Sequence, residues 1–112
     1  MTLSALRDFC LSLPFTEEKL PFDANTLVFY VGGKIFCLTD MDKFEFVNLK
    51  CDPEKSNELR EEYEEITPAW HMNKKHWNSV KIQGRVSDKM LRDLVQHSYD
   101  LVLAKTTLRK RI

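Results

Sequence analysis

Thr26-Leu27-Val28-Phe29-Tyr30-Val31-Gly32-Gly33-Lys34-Ile35-Phe36-Cys37-Leu38-Thr39 decides the fold class. Its two arms are rich in β-branched and aromatic residues, which suit a pleated, half-buried surface. The two glycines between them satisfy a type I′ turn, which needs positive φ at both central positions. The segment therefore predicts an antiparallel hairpin, Thr26 to Val31 paired with Lys34 to Thr39.

Working outward, Thr16 to Phe22 reads as a strand before the hairpin, ended by the turn residues Asp23-Ala24-Asn25. After the hairpin, Asp40-Met41-Asp42-Lys43 turns the chain into a strand from Phe44 to Lys50. Trp77 to Gln83 alternates in the same way and reads as the last strand. Ala69 to Lys75 reads as a loop or irregular strand.

Helices bracket these strands. Leu3, Leu6, Phe9, Cys10 and Leu13 recur at helical spacing, with Thr2 as N-cap and Pro14 as the stop. Asp52-Pro53 starts a second helix that runs to about Tyr63. It is strongly acidic, with Glu54, Glu58, Glu61, Glu62, Glu64 and Glu65, and only Leu59, Tyr63 and Ile66 offer an apolar edge, so it belongs on the surface. Ser87 caps a long last helix whose buried stripe is Met90, Leu91, Leu94, Val95, Ser98, Leu101 and Val102. The expectation is one α+β domain over residues 1–112: N-terminal helix, antiparallel β-sheet, surface helix, last strand and C-terminal helix.

The composition agrees. The chain has 112 residues, 43% of them hydrophobic and 30% charged, which fits one globular core and argues against disorder. No apolar run approaches the roughly 20 residues that cross a bilayer. The first residues lack the basic and apolar regions of a secretory signal. Cys10, Cys37 and Cys51 are odd in number and lack CxxC spacing. They read as free, buried thiols, which points to a reducing, cytoplasmic setting.

Net charge is zero, yet unevenly spread. Residues 1–65 hold 7 Lys/Arg against 14 Asp/Glu, a balance of −7, whereas residues 66–112 hold 10 against 3, a balance of +7. Such a split can hide a basic face if the charges do not interleave on folding.

One constellation stands out: Trp70, His71, Asn73, Lys74, Lys75, His76 and Trp77. The lysines can neutralise phosphates and the rings can stack on bases. Arg85 and the tail residues Arg109, Lys110 and Arg111 can extend that surface. The same loop can instead anchor a protein partner or a small ligand through Trp70, Met72 and Trp77, with lysines at the rim. Metal binding is disfavoured, because His71 and His76 are five apart and lack nearby carboxylates. Catalysis is disfavoured too: Cys10 lies on an apolar helix stripe, Cys37 lies inside a strand, and there is no phosphate loop. No cofactor is expected. Bland readings compete at each position: Trp77 as a sheet anchor, Asn73 as a turn former, and the lysines as solvated side chains.

The segment Pro68-Ala69-Trp70-His71-Met72-Asn73-Lys74-Lys75-His76-Trp77-Asn78-Ser79-Val80 resembles the MmcQ/YjbR family. Its His-x-Asn-Lys-x-x-Trp core is the specific element. Leu13-Pro14, Gly33-Lys34-Ile35-Phe36, Leu49-Lys50-Cys51-Asp52-Pro53-Glu54 and Ser98-Tyr99-Asp100-Leu101-Val102 fit the family pattern in the right order. The resemblance implies a helix, an antiparallel sheet and a closing helix, similar to frataxin-like proteins and type III secretion chaperones. It also implies a DNA-binding role through a double-wing motif and no catalytic activity. Fold likeness alone does not transfer function. The sequence thus favours a nucleic-acid-binding or regulatory module, with protein-partner or small-ligand binding as the alternative.

Overall fold

A computed structural model describes residues 1–107. The element order is α1 (Leu3–Ser12), β1 (Thr16–Lys19), β2 (Thr26–Val31), β3 (Lys34–Asp40), β4 (Phe46–Lys50), α2 (Pro53–Glu62), β5 (Ile66–Pro68), β6 (Trp77–Lys81) and α3 (Asp88–Leu103). The six strands form one antiparallel sheet in the order β1-β2-β3-β4-β6-β5. The α+β architecture expected from the sequence is the one observed.

The local chemistry sets the boundaries. Gly32 and Gly33 both have positive φ, 57° and 80°, as the hairpin turn requires. Thr2, Asp52 and Ser87 cap the three helices, their side chains accepting from the amides of Ala5, Lys55 and Met90. β1 stops at Lys19, short of Phe22, because Pro21 has no N–H for the ladder. Asp23 Oδ1 then takes the amides of Asn25 and Thr26 into a turn. β4 starts at Phe46 instead of Phe44, since Asp40 Oδ1 holds the amides of Asp42 and Lys43 and lengthens that turn. β6 ends at Lys81 instead of Gln83.

β5 is the element the sequence reading lacks. Ile66 to Pro68 pairs with β6, and Ile66 is buried in the core instead of forming the edge of the acidic helix. A proline is tolerated there because β5 is an edge strand.

One face of the sheet carries the main core. Leu27, Phe29, Val31, Val47, Leu49, Ile66 and Val80 pack against Leu6 and Cys10 of α1 and against Leu91, Leu94, Val95, Tyr99 and Val102 of α3. A bulge in the β2–β3 pairing follows Phe29, where Phe29 meets Cys37 and Tyr30 meets Ile35. The extra residue lets both Phe36 and Cys37 enter this core. Phe36 meets Tyr99 edge-on at 5.4 Å. The fully buried Ser98 ties α3 to the sheet, donating to the Phe36 carbonyl and accepting from the Lys50 amide. The opposite face bears a smaller cluster of Val28, Leu38, Ala69 and Trp77, with Tyr30, Ile35 and Met72 at its edge. Among the described residues, no helix is long and apolar enough to cross a membrane.

Candidate functional site

The segment between β5 and β6 folds back over the helix-free face of the sheet. The Ala69 amide donates to the Trp77 carbonyl at 3.0 Å, and the amides of His76 and Trp77 donate to the Asn73 carbonyl. The Asn73 side chain accepts from the Lys75 amide, so this exposed residue shapes the turn. Arg60 of α2 clamps the loop from outside. Its Nη2 donates to the carbonyls of Lys74 (2.6 Å) and Trp77 (3.3 Å), and its Nε to Asn78 Oδ1 (2.8 Å). Asn78 is buried and donates in turn to the fully buried Ser56.

The two tryptophans have opposite fates. Trp70 is 77% exposed, with the Lys74 ammonium 4.6 Å from its ring centroid. Trp77 is 9% exposed and belongs to the smaller core cluster. Strand alternation explains this: Trp77 and Ser79 share the helix-free face, and Ala69 and Met72 cover the tryptophan end of it. Trp77 is therefore a sheet anchor that leaves only a small part of its ring at the surface.

Among the described residues, Lys81 and Arg85 do not extend a basic face clear of the acidic segment. β6 runs antiparallel to β5, which follows directly from the acidic helix, and the Lys81 amide donates to the Glu65 carbonyl. Lys81 therefore sits in a surface hollow beside Glu64 and Glu65. Arg85 donates to the Glu62 carbonyl, pairs with Glu65 at 3.6 Å and lies over the Tyr63 ring. The two cations thus interleave with the glutamates, which is the opposite of segregation. Arg109, Lys110 and Arg111 lie outside the described residues. Lys74 and Lys75 remain exposed on the loop.

His71 and His76 face different cavities. His71 lines a cleft of about 410 Å³ on the helix-free face. Phe22, 65% exposed, and Trp70 line the same cleft, with Leu38 and Met72 as further apolar wall. Its polar groups come from the sheet. Leu38, Asn48 and Ser79 are successive cross-strand neighbours on β3, β4 and β6, and all three line the cleft together with Thr26 and Asp40. His76 lines a separate cavity on the other side of the loop. Among the described residues, no three His, Cys, Asp or Glu side chains converge as metal ligands.

The cysteines are protected thiols. Burial holds Cys37 well above the ordinary thiol range, and its contact with Cys10 pushes the same way. Burial also raises Cys51, against an opposing hydrogen bond with Ser56. A nucleophilic thiol needs the reverse shift.

The sequence reading missed Phe22, Asp40, Asn48 and Ser79. The available signal was the small polar residues at alternate positions of β4 and β6, where a fully covered face would carry apolar ones.

The YjbR family model matches residues 11–101. The chain belongs to the YjbR family. It is 46% identical to YbdF of Escherichia coli O157:H7 over 94 residues, covering 83% of this chain and 77% of that protein. It is 30% identical to YjbR of Escherichia coli K12 over 100 residues, covering 88% and 85%. The crystal structure of Deinococcus radiodurans DR2400 superposes with a TM-score of 0.89 at 41% identity, covering 93% of this chain and 80% of that one. A Pseudomonas syringae crystal structure gives 0.76 at 27% identity, covering 90% and 98%. This YjbR-family chain thus shares its α+β fold with those solved structures.

Proposed function

We propose that this YjbR-family domain is a binding module without catalytic chemistry, and that its cleft takes a flat heteroaromatic group. The observation that carries the reading is the exposure of Trp70 and Phe22 on one mostly apolar cleft into which the sheet places a few polar groups. Exposed aromatic rings at the mouth of a concave site supply stacking area. The floor then fixes orientation: Asn48 and Ser79 offer donors and acceptors, and Asp40 an acceptor. A volume of about 410 Å³ suits a small ligand.

DNA binding is the second reading, favoured by Lys74 and Lys75 on the same loop. It loses support from Lys81 and Arg85, which stand among glutamates. Calorimetry separates the two. Adenosine and a single-stranded oligonucleotide should bind the native protein and lose at least tenfold in affinity in Trp70→Ala. Binding of duplex DNA that falls steeply with salt and ignores Trp70→Ala would replace the cleft by a phosphate-contacting face. No binding in any arm would overturn both readings.

A further inference from the structure

A second cavity system lies on the other side of the loop. One cavity of about 290 Å³ and another of about 480 Å³ share Lys50 and Lys105 as walls. Lys34 lines the larger one. These three ammoniums come from β3, from β4 and from the turn after α3, so only the fold brings them together. Among the described residues, none of the three forms an ion pair. Beneath them the larger cavity is apolar, walled by Ile35, Trp77 and Val102. His76 adds an imidazole to the smaller cavity. A single carboxylate, Asp52, lines that cavity, and its Oδ2 is already taken as the helix cap by the Lys55 amide.

Three cations with no ion pair among the described residues, over an apolar floor, match one kind of ligand. The geometry points to a site for a small amphipathic anion, whose phosphate or carboxylate head meets Lys34, Lys50 and Lys105 and whose apolar body lies along Ile35, Trp77 and Val102. An ammonium cluster alone would select any polyanion, whereas the apolar floor favours a ligand with hydrocarbon attached to its charge. Two Lys residues of this set, Lys34 and Lys50, come from the acidic half of the sequence, so a charge count by halves hides the site. The inference does not depend on the Trp70 cleft.

Trp77 is a built-in reporter because it walls the cavity. In a Trp70→Phe variant it is the only indole left. Hexyl phosphate, below its micelle concentration, should produce a saturable change in Trp77 fluorescence. Inorganic phosphate and hexanol should each bind at least tenfold more weakly. The double variant Lys50→Gln/Lys105→Gln should weaken hexyl phosphate at least tenfold, whereas Lys75→Gln should change it less than twofold. A phosphate head can also be presented by a lipid, so phosphatidylcholine vesicles containing phosphatidic acid form a second arm. Lysine-dependent binding in either arm supports the site, and the arm that binds more tightly names the source. The inference is overturned by no saturable binding in both arms, by equal affinity for inorganic phosphate, or by indifference to the double variant. Unchanged melting temperatures of the lysine variants guard against misfolding as the cause.

Discussion

Glu65 folds its carboxylate against Gly84 so closely that a Cβ at position 84 would run into Glu65 Oε2. The same oxygen accepts from the Arg85 amide at 2.7 Å, so the side chain at the start of β5 holds the turn after β6. Gly84 also has φ +84°, a conformation that L side chains rarely adopt. Gly84→Ala therefore meets two obstacles, backbone strain and displacement of Glu65. It should cost about 1–3 kcal/mol, read from urea denaturation midpoints. Gly33→Ala is the comparison, since nothing lies within 4 Å of its added Cβ and only the strain at φ +80° remains. The loss at position 84 should be the larger.

His97 couples α3 to the start of α2. Its Nε2 accepts from the Asp52 amide at 3.2 Å, which requires a neutral ring on that nitrogen. Burial lowers its pKa, the Lys55 charge lowers it further, and Asp52 and Asp100 oppose this. The folded state therefore binds the proton less readily than the unfolded chain, whose histidine titrates near 6.5. The contribution is complete above that pH and is lost as pH falls from there through the folded pKa. A plot of melting temperature against pH should decline on this limb. His97→Gln should flatten the decline between the two pKa values and leave any steeper loss at lower pH.

Glu65 is one source of that acid limb, beside the lowered carboxyls of Glu18, Asp23 and Asp88. The Arg85 amide lowers the Glu65 pKa most, and the Arg85 guanidinium adds to it. A depressed carboxyl stabilises the fold above its unfolded value near 4.5, and the effect disappears as pH falls through the folded pKa. Glu65→Gln should remove part of the stability loss below pH 4.5 seen in denaturant titrations, while His97→Gln should not.

Arg60 illustrates what the sequence made legible and what it hid. The hairpin, the three caps and the amphipathic α3 follow from local rules, and they appear where those rules put them. Trp70 and Lys74 were singled out because residue type alone marks them. The fate of Trp77 and Arg85 depends instead on which strand lies beside which, and no local pattern states that β6 returns along β5 to the glutamates that follow α2. Nothing in the sequence around Arg60 marks it out from the other charges of α2. Its contact with the loop spans 14 residues of sequence and is visible only in the fold.

Removing that guanidinium should loosen the loop. Arg60→Ala removes one donor from the carbonyls of Lys74 and Trp77, the latter keeping the Ala69 amide, and strips the buried Asn78 Oδ1 of a donor. A buried polar atom left unpaired costs about 1–3 kcal/mol. Amide hydrogen exchange should accelerate at His76 and Trp77, whose N–H groups bond to the Asn73 carbonyl, more than in the β2–β3 hairpin. Equal acceleration in both regions would mean global destabilisation without a specific hold on the loop.

The two tryptophans offer the sharpest separation of fold from function. Trp70 is 77% exposed, so Trp70→Ala removes little buried surface and should change stability by less than about 0.5 kcal/mol. Trp77 is 9% exposed and packs against Val28, Leu38 and Ala69, so Trp77→Ala opens a cavity under the sheet and should cost about 3–5 kcal/mol. Denaturation of the two variants measures one axis and calorimetric titration of the cleft measures the other. Trp70→Ala should stay folded and lose ligand, because its ring serves only the cleft and the Lys74 contact. If Trp70→Ala instead unfolds the domain, the ring belongs to the core and its exposure carries no binding role.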